Sequence, residues 1–440
     1  MSILLNSDAQ TPLREYIKEL GLYSFAFFSL LSTSLSALAL GVLVISVITE
    51  PEFWKSNTKT AIFWLFVIFA IYLLARTILA VHEYPCSAHL QYDDACSWFQ
   101  LWLFLIVGWI VKGDVQKVQR ILALGLTGLL TGMIIYTIKR PEIVFSGART
   151  GFHLRVIAFS LYCSTAILGL ILFAPSILKK KDTSGISLAR VIAWAVLLLI
   201  LVETFILGRS RGAWISALVV IPVITFLKFK QCLRKNPLEP RYQVLFLALG
   251  ILIVLFVLIA GSQIIKQRVS AELPMIGAAV EGQFDKIPTK GFGVRVQALR
   301  YGLAKIKERP FLGWGPGSTK YLIPKSNDPH LLHPLSGGKY AWIDHLHNTY
   351  LEILFRFGLV GGVIFVLLIY LLLKPIIVAI HENSLPRDIG LFVIGTFALI
   401  AVWSLSDFRL LHHDWRNYWL LIAGIACGLK PINKNKKDSF

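Results

Sequence analysis

Eleven apolar runs along the chain read as membrane spans. They lie at about Leu22 to Ile48, Ala61 to Val81, Trp98 to Val111, Ile121 to Ile138, Val156 to Ile177, Leu188 to Leu207, Ala213 to Leu227, Val244 to Ile265, Thr349 to Leu373, Ile389 to Leu405 and Tyr418 to Leu429. Ser32-Thr33-Ser34-Leu35-Ser36 interrupts the first, which predicts two short helices folded back as a hairpin and raises the count to about twelve. The expected fold is an all-α polytopic membrane protein. Its parts are an N-terminal transmembrane bundle over residues 1-265, a large loop over 266-347 and C-terminal transmembrane helices over 348-440.

The polar stretches between the runs set the orientation. Lys179-Lys180-Lys181, Lys228 to Arg241, Lys374 to Arg387 and the tail from Lys430 to Lys437 are short and basic, and each pair is separated by an even number of runs. The positive-inside rule puts all four in the cytoplasm, and with the hairpin both termini as well. The same parity puts the long stretch from Lys266 to Leu346 outside. It holds twelve Lys and Arg against six Asp and Glu through His347, a net of +6 that orientation does not explain and that suggests an anionic ligand. Within it Val296, Leu299, Leu303 and Ile306 recur at helical spacing, with Arg295, Arg300, Lys305, Lys307 and Arg309 on other faces. This predicts an amphipathic helix at the interface, ended by Pro310 and Gly313-Trp314-Gly315-Pro316-Gly317.

Composition agrees with this picture. Of 440 residues 56% are hydrophobic and 16% charged, and a mean hydropathy of +0.67 lies outside the range of soluble domains. The net charge of +19 sits between spans, not on a soluble face, so no nucleic-acid partner is expected. The first run begins only after Arg14, Glu15, Lys18 and Glu19 and continues past Val44 without a clear cleavage site, so a cleavable signal peptide is not expected. Five cysteines show no metal spacing. Cys86 and Cys96 share one short polar stretch and could pair if it faces an oxidising compartment.

Candidate chemistry concentrates at a few outward positions. His347 closes the long polar stretch and opens the run that follows, where helix-terminal amides favour anions and keep an imidazole neutral. His345, two residues away, reads as support that faces elsewhere. Arg209, Ser210 and Arg211 sit at a tight outer hairpin. They suit a phosphate or diphosphate through the planar guanidinium fork, against the alternative of snorkelling anchors. Arg295 follows Gly291-Phe292-Gly293-Val294 and could reach the same anion, or stand as a solvated charge. Asp93-Asp94 could hold a divalent metal, although a solvated turn is the stronger reading. Asp407, Arg409, His412, His413, Asp414 and Arg416 form a further outward cluster that either completes the site or decorates a turn.

These residues carry a resemblance. His347-Asn348, nine further residues and Gly358-Leu359-Val360-Gly361 resemble the pattern of the O-antigen ligase and polymerase superfamily, whose members also carry a large periplasmic loop before that histidine. Ser210-Arg211-Gly212-Ala213 is similar to the Thr/Ser-Arg segment of its ligases, Gly293-Val294-Arg295 to their Gly-Ala-Arg segment, and Leu405-Ser406-Asp407 to a Ser-Asp element in their last loop. Phe145 to Gly151, with Arg149, resembles an earlier glycine-rich loop.

The resemblance implies a GT-C-like membrane glycosyltransferase in the bacterial inner membrane with its site facing the periplasm. The reaction implied is a metal-independent, cofactor-free, inverting transfer of O-antigen from undecaprenyl diphosphate to a lipid A-core sugar. His347 would be the base. Arg211 and Arg295, with Arg209, would bind the diphosphate, and Asn348, His345, Asp407 and Arg149 would support. Partners would then be the lipid-linked glycan donor, the lipid A-core acceptor, membrane lipid and transient contacts with other polysaccharide-assembly membrane proteins. A polymerase that accepts a second lipid-linked repeat is the alternative. A protein O-glycosyltransferase ranks lower because the chain lacks a large C-terminal soluble region. A transporter or flippase ranks lower because, although Arg76 and Glu203 lie inside apolar runs, nothing else suggests a transport path and no internal repeat is seen.

Overall fold

The computed structural model describes residues 7–178, 187–235, 263–284, 287, 291–334 and 339–429. In chain order the helices are α1 (Ser7–Phe28), α2 (Thr33–Ile48), α3 (Pro51–Asn57), α4 (Ala61–Glu83), α5 (Ala88–Gln100), α6 (Phe104–Val111), α7 (Val115–Lys139), α8 (Pro141–Phe145), α9 (Val156–Leu178), α10 (Leu188–Leu207), α11 (Arg211–Lys235), α12 (Gln263–Val280), α13 (Phe292–Glu308), α14 (Ser318–Lys325), α15 (Thr349–His381), α16 (Arg387–Trp403) and α17 (His413–Gly428). Two three-residue strands, β1 (Leu332–Pro334) and β2 (Tyr340–Trp342), pair antiparallel ahead of His345. The protein is an all-α polytopic membrane protein.

The expected hairpin is present. α1 ends at Phe28 and α2 begins at Thr33, with Ser32 as its N-cap, and the two helices pack on each other. Lys18 of α1 meets Glu50, just past α2, at 2.6 Å, which closes the hairpin at its far end.

Span number is where structure and sequence part. Among the described residues seven helices are long and apolar enough to cross a bilayer, or eight if the bent pair α2 and α3 is one span. The run predicted from Trp98 is the second half of a longer span, Pro85–Val111, that includes α5. At 17 and 16 residues, α16 and α17 fall short of the roughly 20 that a span needs. Both are nonetheless heavily buried, α17 against α6. The run from Val244 to Ile265 lies almost wholly outside the described residues.

The polar connections gather at two ends. At one, Lys117 meets Glu19 and Lys228 pairs with Asp388. At the other, Arg309 pairs with Glu83, Asn417 bonds to Ser29 O, and Arg416 bonds to Ser97. The second end carries the long loop.

That loop is fastened into the bundle. α15 is broken at Gly358, whose φ of 59° and ψ of −162° are not helical. The loop after α13 fills the break: Leu359 N donates to Pro310 O and Val360 N to Phe311 O, while Trp314 N and Gly315 N donate to Phe355 O and Arg356 O. A Cβ on Gly358 would strike the backbone of Phe311, and one on Gly313 (φ 67°) the backbone of Arg356. Tyr72 and Arg76 of α4 bond to Phe357 O and Gly313 O, so the intramembrane arginine is committed to the same join.

α13 is helical as expected, and the face it buries against the protein is the one that carries its small residues. Val294, Val296, Gln297, Ala298 and Gly302 are buried, whereas Leu299 and Leu303 are 41% and 44% exposed. The cause is the partner: α13 packs on α15, and a Cβ at Gly302 would strike Leu346, so its small residues face the loop.

Candidate functional site

The centre of the end that carries the long loop is built by stitching the head of α15 to the turn after α16. Asn348 is the N-cap: its Oδ1 accepts from Leu351 N at 3.0 Å and its amide donates to Leu405 O at 3.0 Å. Thr349 N donates to Ser404 O at 2.9 Å and Thr349 Oγ1 to Asp407 O at 2.8 Å. His347 therefore stands one residue before the cap, not in the helix, and takes a left-handed φ of 53°. Such a conformation costs a non-glycine residue about 1–3 kcal/mol and is held by its surroundings.

Two histidines share one carboxylate. His345 Nε2 lies 3.4 Å and His347 Nδ1 3.5 Å from Oδ1 of Asp407, which is fully buried. The rings stand 4.3 Å apart at 60°. His345 thus does not face elsewhere: with its partner's ring it forms one cluster around Asp407, and its Nδ1 meets Asp344 at 2.5 Å. Arg409 Nε reaches Asp407 Oδ2 at 3.2 Å and its Nη1 reaches His412 at 3.2 Å.

Charge separates the two rings. Burial lowers the affinity of His345 for its proton, but Asp344 and Asp407 outweigh it and raise the ring to about 9. Burial pushes His347 down to about 4; Asp407 opposes this, and the cations His345 and Arg295 add to the fall. Burial would raise Asp407, yet its two histidines and Arg409 hold it well below the usual carboxylate range. At neutral pH the cluster is a charged His345, an ionised Asp407 and a neutral His347. With Asp407 facing Nδ1, that proton belongs on Nδ1 and Nε2 is left as the acceptor. The His347 side chain keeps 19% of its surface open.

The arginines fall into two groups. Arg295, near the start of α13, acts on His347 directly, and its buried Nε has no hydrogen-bond partner among the described residues. Arg211 opens α11, and the adjacent Gly212 lies so close to Ser406 that a Cβ would overlap its hydroxyl. That contact sets the arginine hairpin against the turn that carries Asp407. Arg209 and Arg149 instead lock two loops together, Arg209 Nη2 to Gly147 O at 2.9 Å and Arg149 Nε to Gly208 O at 3.2 Å.

The remaining acidic candidate is spent on structure. Asp94 lies in α5, not in a solvated turn. It is 2% exposed and is held by Arg356 at 2.6 Å and Lys320 at 2.6 Å, leaving only exposed Asp93 for any metal. Cys86 and Cys96 are exposed and unbridged. His345, His347 and Asp407 offer ligand atoms within 4.8 Å of one another and could hold a cation. A cation there would have to displace the His345 proton beside Arg295 and Arg409, which charge repulsion disfavours.

Three residues of the surroundings escaped sequence reasoning. Arg155, at the head of α9, adds positive charge beside His412, which burial first and then Arg409 and Arg155 lower to about 3. Arg356 and Glu352 bury a charge pair beneath the site, with Glu352 Oε2 accepting from Leu346 N at 2.8 Å. Their i, i+4 spacing was the available signal.

Fold and site together define a multi-pass membrane protein that carries a histidine–aspartate cluster with arginines at one end of its bundle. Residues 194–366 match the family model described as O-Antigen ligase, in agreement with the superfamily that the motifs resemble. The matched segment includes Arg209, Arg211, Arg295, His345, His347 and Asn348. A protein of Rickettsia conorii that bears the provisional name polysaccharide ligase is 31% identical over 110 residues, 23% of this chain and 26% of that protein. The chain thus spans about a quarter of the length of that relative.

Proposed function

We propose that this chain is an O-antigen ligase, transferring a glycan from undecaprenyl diphosphate to a sugar hydroxyl of lipid A-core. The observation that carries the reading is the neutral His347 held against ionised Asp407 with Arg295 beside it. A sugar hydroxyl is a weak nucleophile and needs a base within hydrogen-bonding reach. His347 Nε2 takes the hydroxyl proton as the oxygen attacks the anomeric carbon from the face opposite the diphosphate. The carbon–diphosphate bond breaks with inversion, and undecaprenyl diphosphate leaves with the bonding pair. The proton rests on His347, where Asp407 stabilises the imidazolium. Arg295 and Arg211 receive the growing negative charge, Arg211 through a bidentate fork, and Arg209 and Arg149 hold the loops that present them. Asn348 sets the position of His347 by capping α15.

In this reading residues 266–347 form a periplasmic loop between an N-terminal bundle and the C-terminal helices, with the protein in the inner membrane and both termini cytoplasmic. Neither metal nor cofactor enters the step. The test is reconstituted transfer from undecaprenyl-diphosphate-linked glycan, offered either lipid A-core or a second lipid-linked repeat. Product on lipid A-core supports the ligase. Elongated lipid-linked glycan with no core product replaces it by a polymerase built on the same residues.

A further inference from the structure

The apolar side chains that α13 does not bury against the protein form a row. Leu299 and Leu303 stand open, and further steps of four residues lead to the exposed Lys307 and to Phe311, which is 67% exposed. The stem of Lys307 is itself apolar, so the row is interrupted only by a charge at the end of a flexible chain. Exposed apolar side chains grouped in this way need a cover.

The row runs into a surface that faces lipid. Pro310 and Phe311 accept from Leu359 N and Val360 N at the break in α15, and the Tyr72 hydroxyl of α4 donates to Leu312 O at 3.1 Å. Both α4 and α15 are long and apolar enough to cross a bilayer, and Ile71, Leu74, Leu359 and Val360 stand exposed on them around Tyr72 and Gly358. Phe311 and Leu312 are therefore held where the neighbouring helices meet lipid. The end of α13 is fixed just above them, since Arg309 pairs with Glu83, the last residue of α4. A helix that starts from this point lies near the bilayer surface.

Cations edge the row. Lys305 is offset by Glu308 at 2.9 Å and Arg309 by Glu83. Arg300 lies over the Phe284 ring and stays exposed, and Lys307, seven residues on and thus on the same side of the helix, is exposed without an acidic partner among the described residues. The long stretch carries a net +6, of which the site near His347 draws on Arg295 alone. An apolar row edged with cations and continuous with lipid-facing helices suits the surface of an anionic bilayer.

We propose that α13 docks on the bilayer surface at the loop-bearing end, with Leu299, Leu303 and Phe311 sunk among acyl chains and Arg300 and Lys307 on the phosphates of anionic phospholipid. The opposite face of the same helix carries Val294 and Gly302 into the protein and places Arg295 by His347, so the docked helix joins the bilayer surface to the candidate site. The docking stands whether or not the transfer reaction is as proposed above.

The test uses the full chain in nanodiscs that contain phosphatidylcholine and phosphatidylglycerol, one or the other carrying a diazirine near its headgroup. After illumination, the α13 peptide with Leu299 and Leu303 is expected to take about tenfold more label from phosphatidylglycerol than from phosphatidylcholine at low salt. The difference should shrink as salt rises, and inorganic phosphate should not compete. Arg300→Gln combined with Lys307→Gln should bring the two lipids to parity on α13, while label on the α4 peptide with Ile71 and Leu74 is unchanged. In a second measurement, read peptide by peptide, Leu303→Cys should react slowly with a water-soluble maleimide and Tyr340→Cys, at a position 62% exposed on β2, rapidly. His347→Ala should alter neither result, which separates this docking from the transfer reading. Equal labelling of α13 by the two lipids in the unaltered chain, or a Leu303→Cys thiol as reactive as that of Tyr340→Cys, would overturn the proposal.

Discussion

Two buried charge clusters sit within ten residues of each other at the head of α15, and they are built in opposite ways. Around Arg356 every contact is short: Nε to Glu352 at 2.7 Å, Nη1 to Asp94 at 2.6 Å, Nη2 to Thr319 at 2.5 Å, with Pro316 O as a further acceptor. Around Asp407 the histidine contacts stretch to 3.4 and 3.5 Å, and a ring nitrogen of each histidine is buried without a hydrogen bond of ordinary geometry. A saturated cluster resists change, because moving any member exposes a charge that nothing else can pair. An unsaturated one keeps protons mobile. The first also serves the second: Glu352, held by Arg356, accepts from the backbone of Leu346 and so fixes the residue between the two histidines.

Substitutions can separate the two roles. The largest effect on turnover is expected at the open cluster: His347→Ala should lower transfer by about 10²–10⁴ while the protein still accumulates in membranes with an unchanged melting profile. Retained turnover would move the base elsewhere. In the closed cluster Arg356→Ala should cost about 3–5 kcal/mol of stability, since Glu352 would be left a buried charge without its cation and Asp94 would keep only Lys320. Its signature is low yield and a lowered melting midpoint; a stable, well-expressed variant would show that the network does not hold the site.

A smaller change is expected at Arg211→Lys, which keeps the charge but loses the planar fork; transfer should fall about tenfold. Wild-type rates there would leave Arg211 as a membrane anchor.

The pH dependence follows from the signs. His345 is raised from 6.5 to about 9 on folding, so its contribution to stability is complete below 6.5 and is lost as pH rises through 9. The melting midpoint should therefore decline over that interval, and His345→Asn should flatten the decline. Turnover should have its acid limb near pH 4, where His347 gains its proton. The smallest expected effect is that of chelators, which should leave activity untouched. Loss restored by a divalent ion would recast His345, His347 and Asp407 as ligands of a metal.

Helix type and the hairpin at Ser32 were legible because membrane helices announce themselves through apolar length and polar interruption. That a helix follows His347-Asn348 was legible because an apolar run begins there at the end of a long polar stretch; that Asn348 caps it is known only from the structure. What was not legible is pairing across distance. Asp94 reads as half of a solvated acidic pair until α5 is laid against Arg356, 262 positions away. The pairing of His345 with Asp407 required knowing that the turn after α16 folds over the head of α15. The small-residue face of α13 was missed because helical periodicity names the apolar stripe, whose Leu299 and Leu303 stay open on the protein surface, and not the element that the other face meets.

The join at Gly358 has a further consequence for the long crossing between Lys266 and Leu346. Pinning Pro310 to Gly315 within the broken helix turns one tether of about eighty residues into two of roughly half the length. Closing a flexible tether becomes only slowly harder as it lengthens, by about 0.6 kcal/mol per doubling. The thermodynamic saving is therefore slight, and the gain lies in geometry. Each half starts from a point inside the bundle, so Arg295 and His347 lie along the chain on opposite sides of one fixed anchor, and neither must be positioned by the full length of the loop.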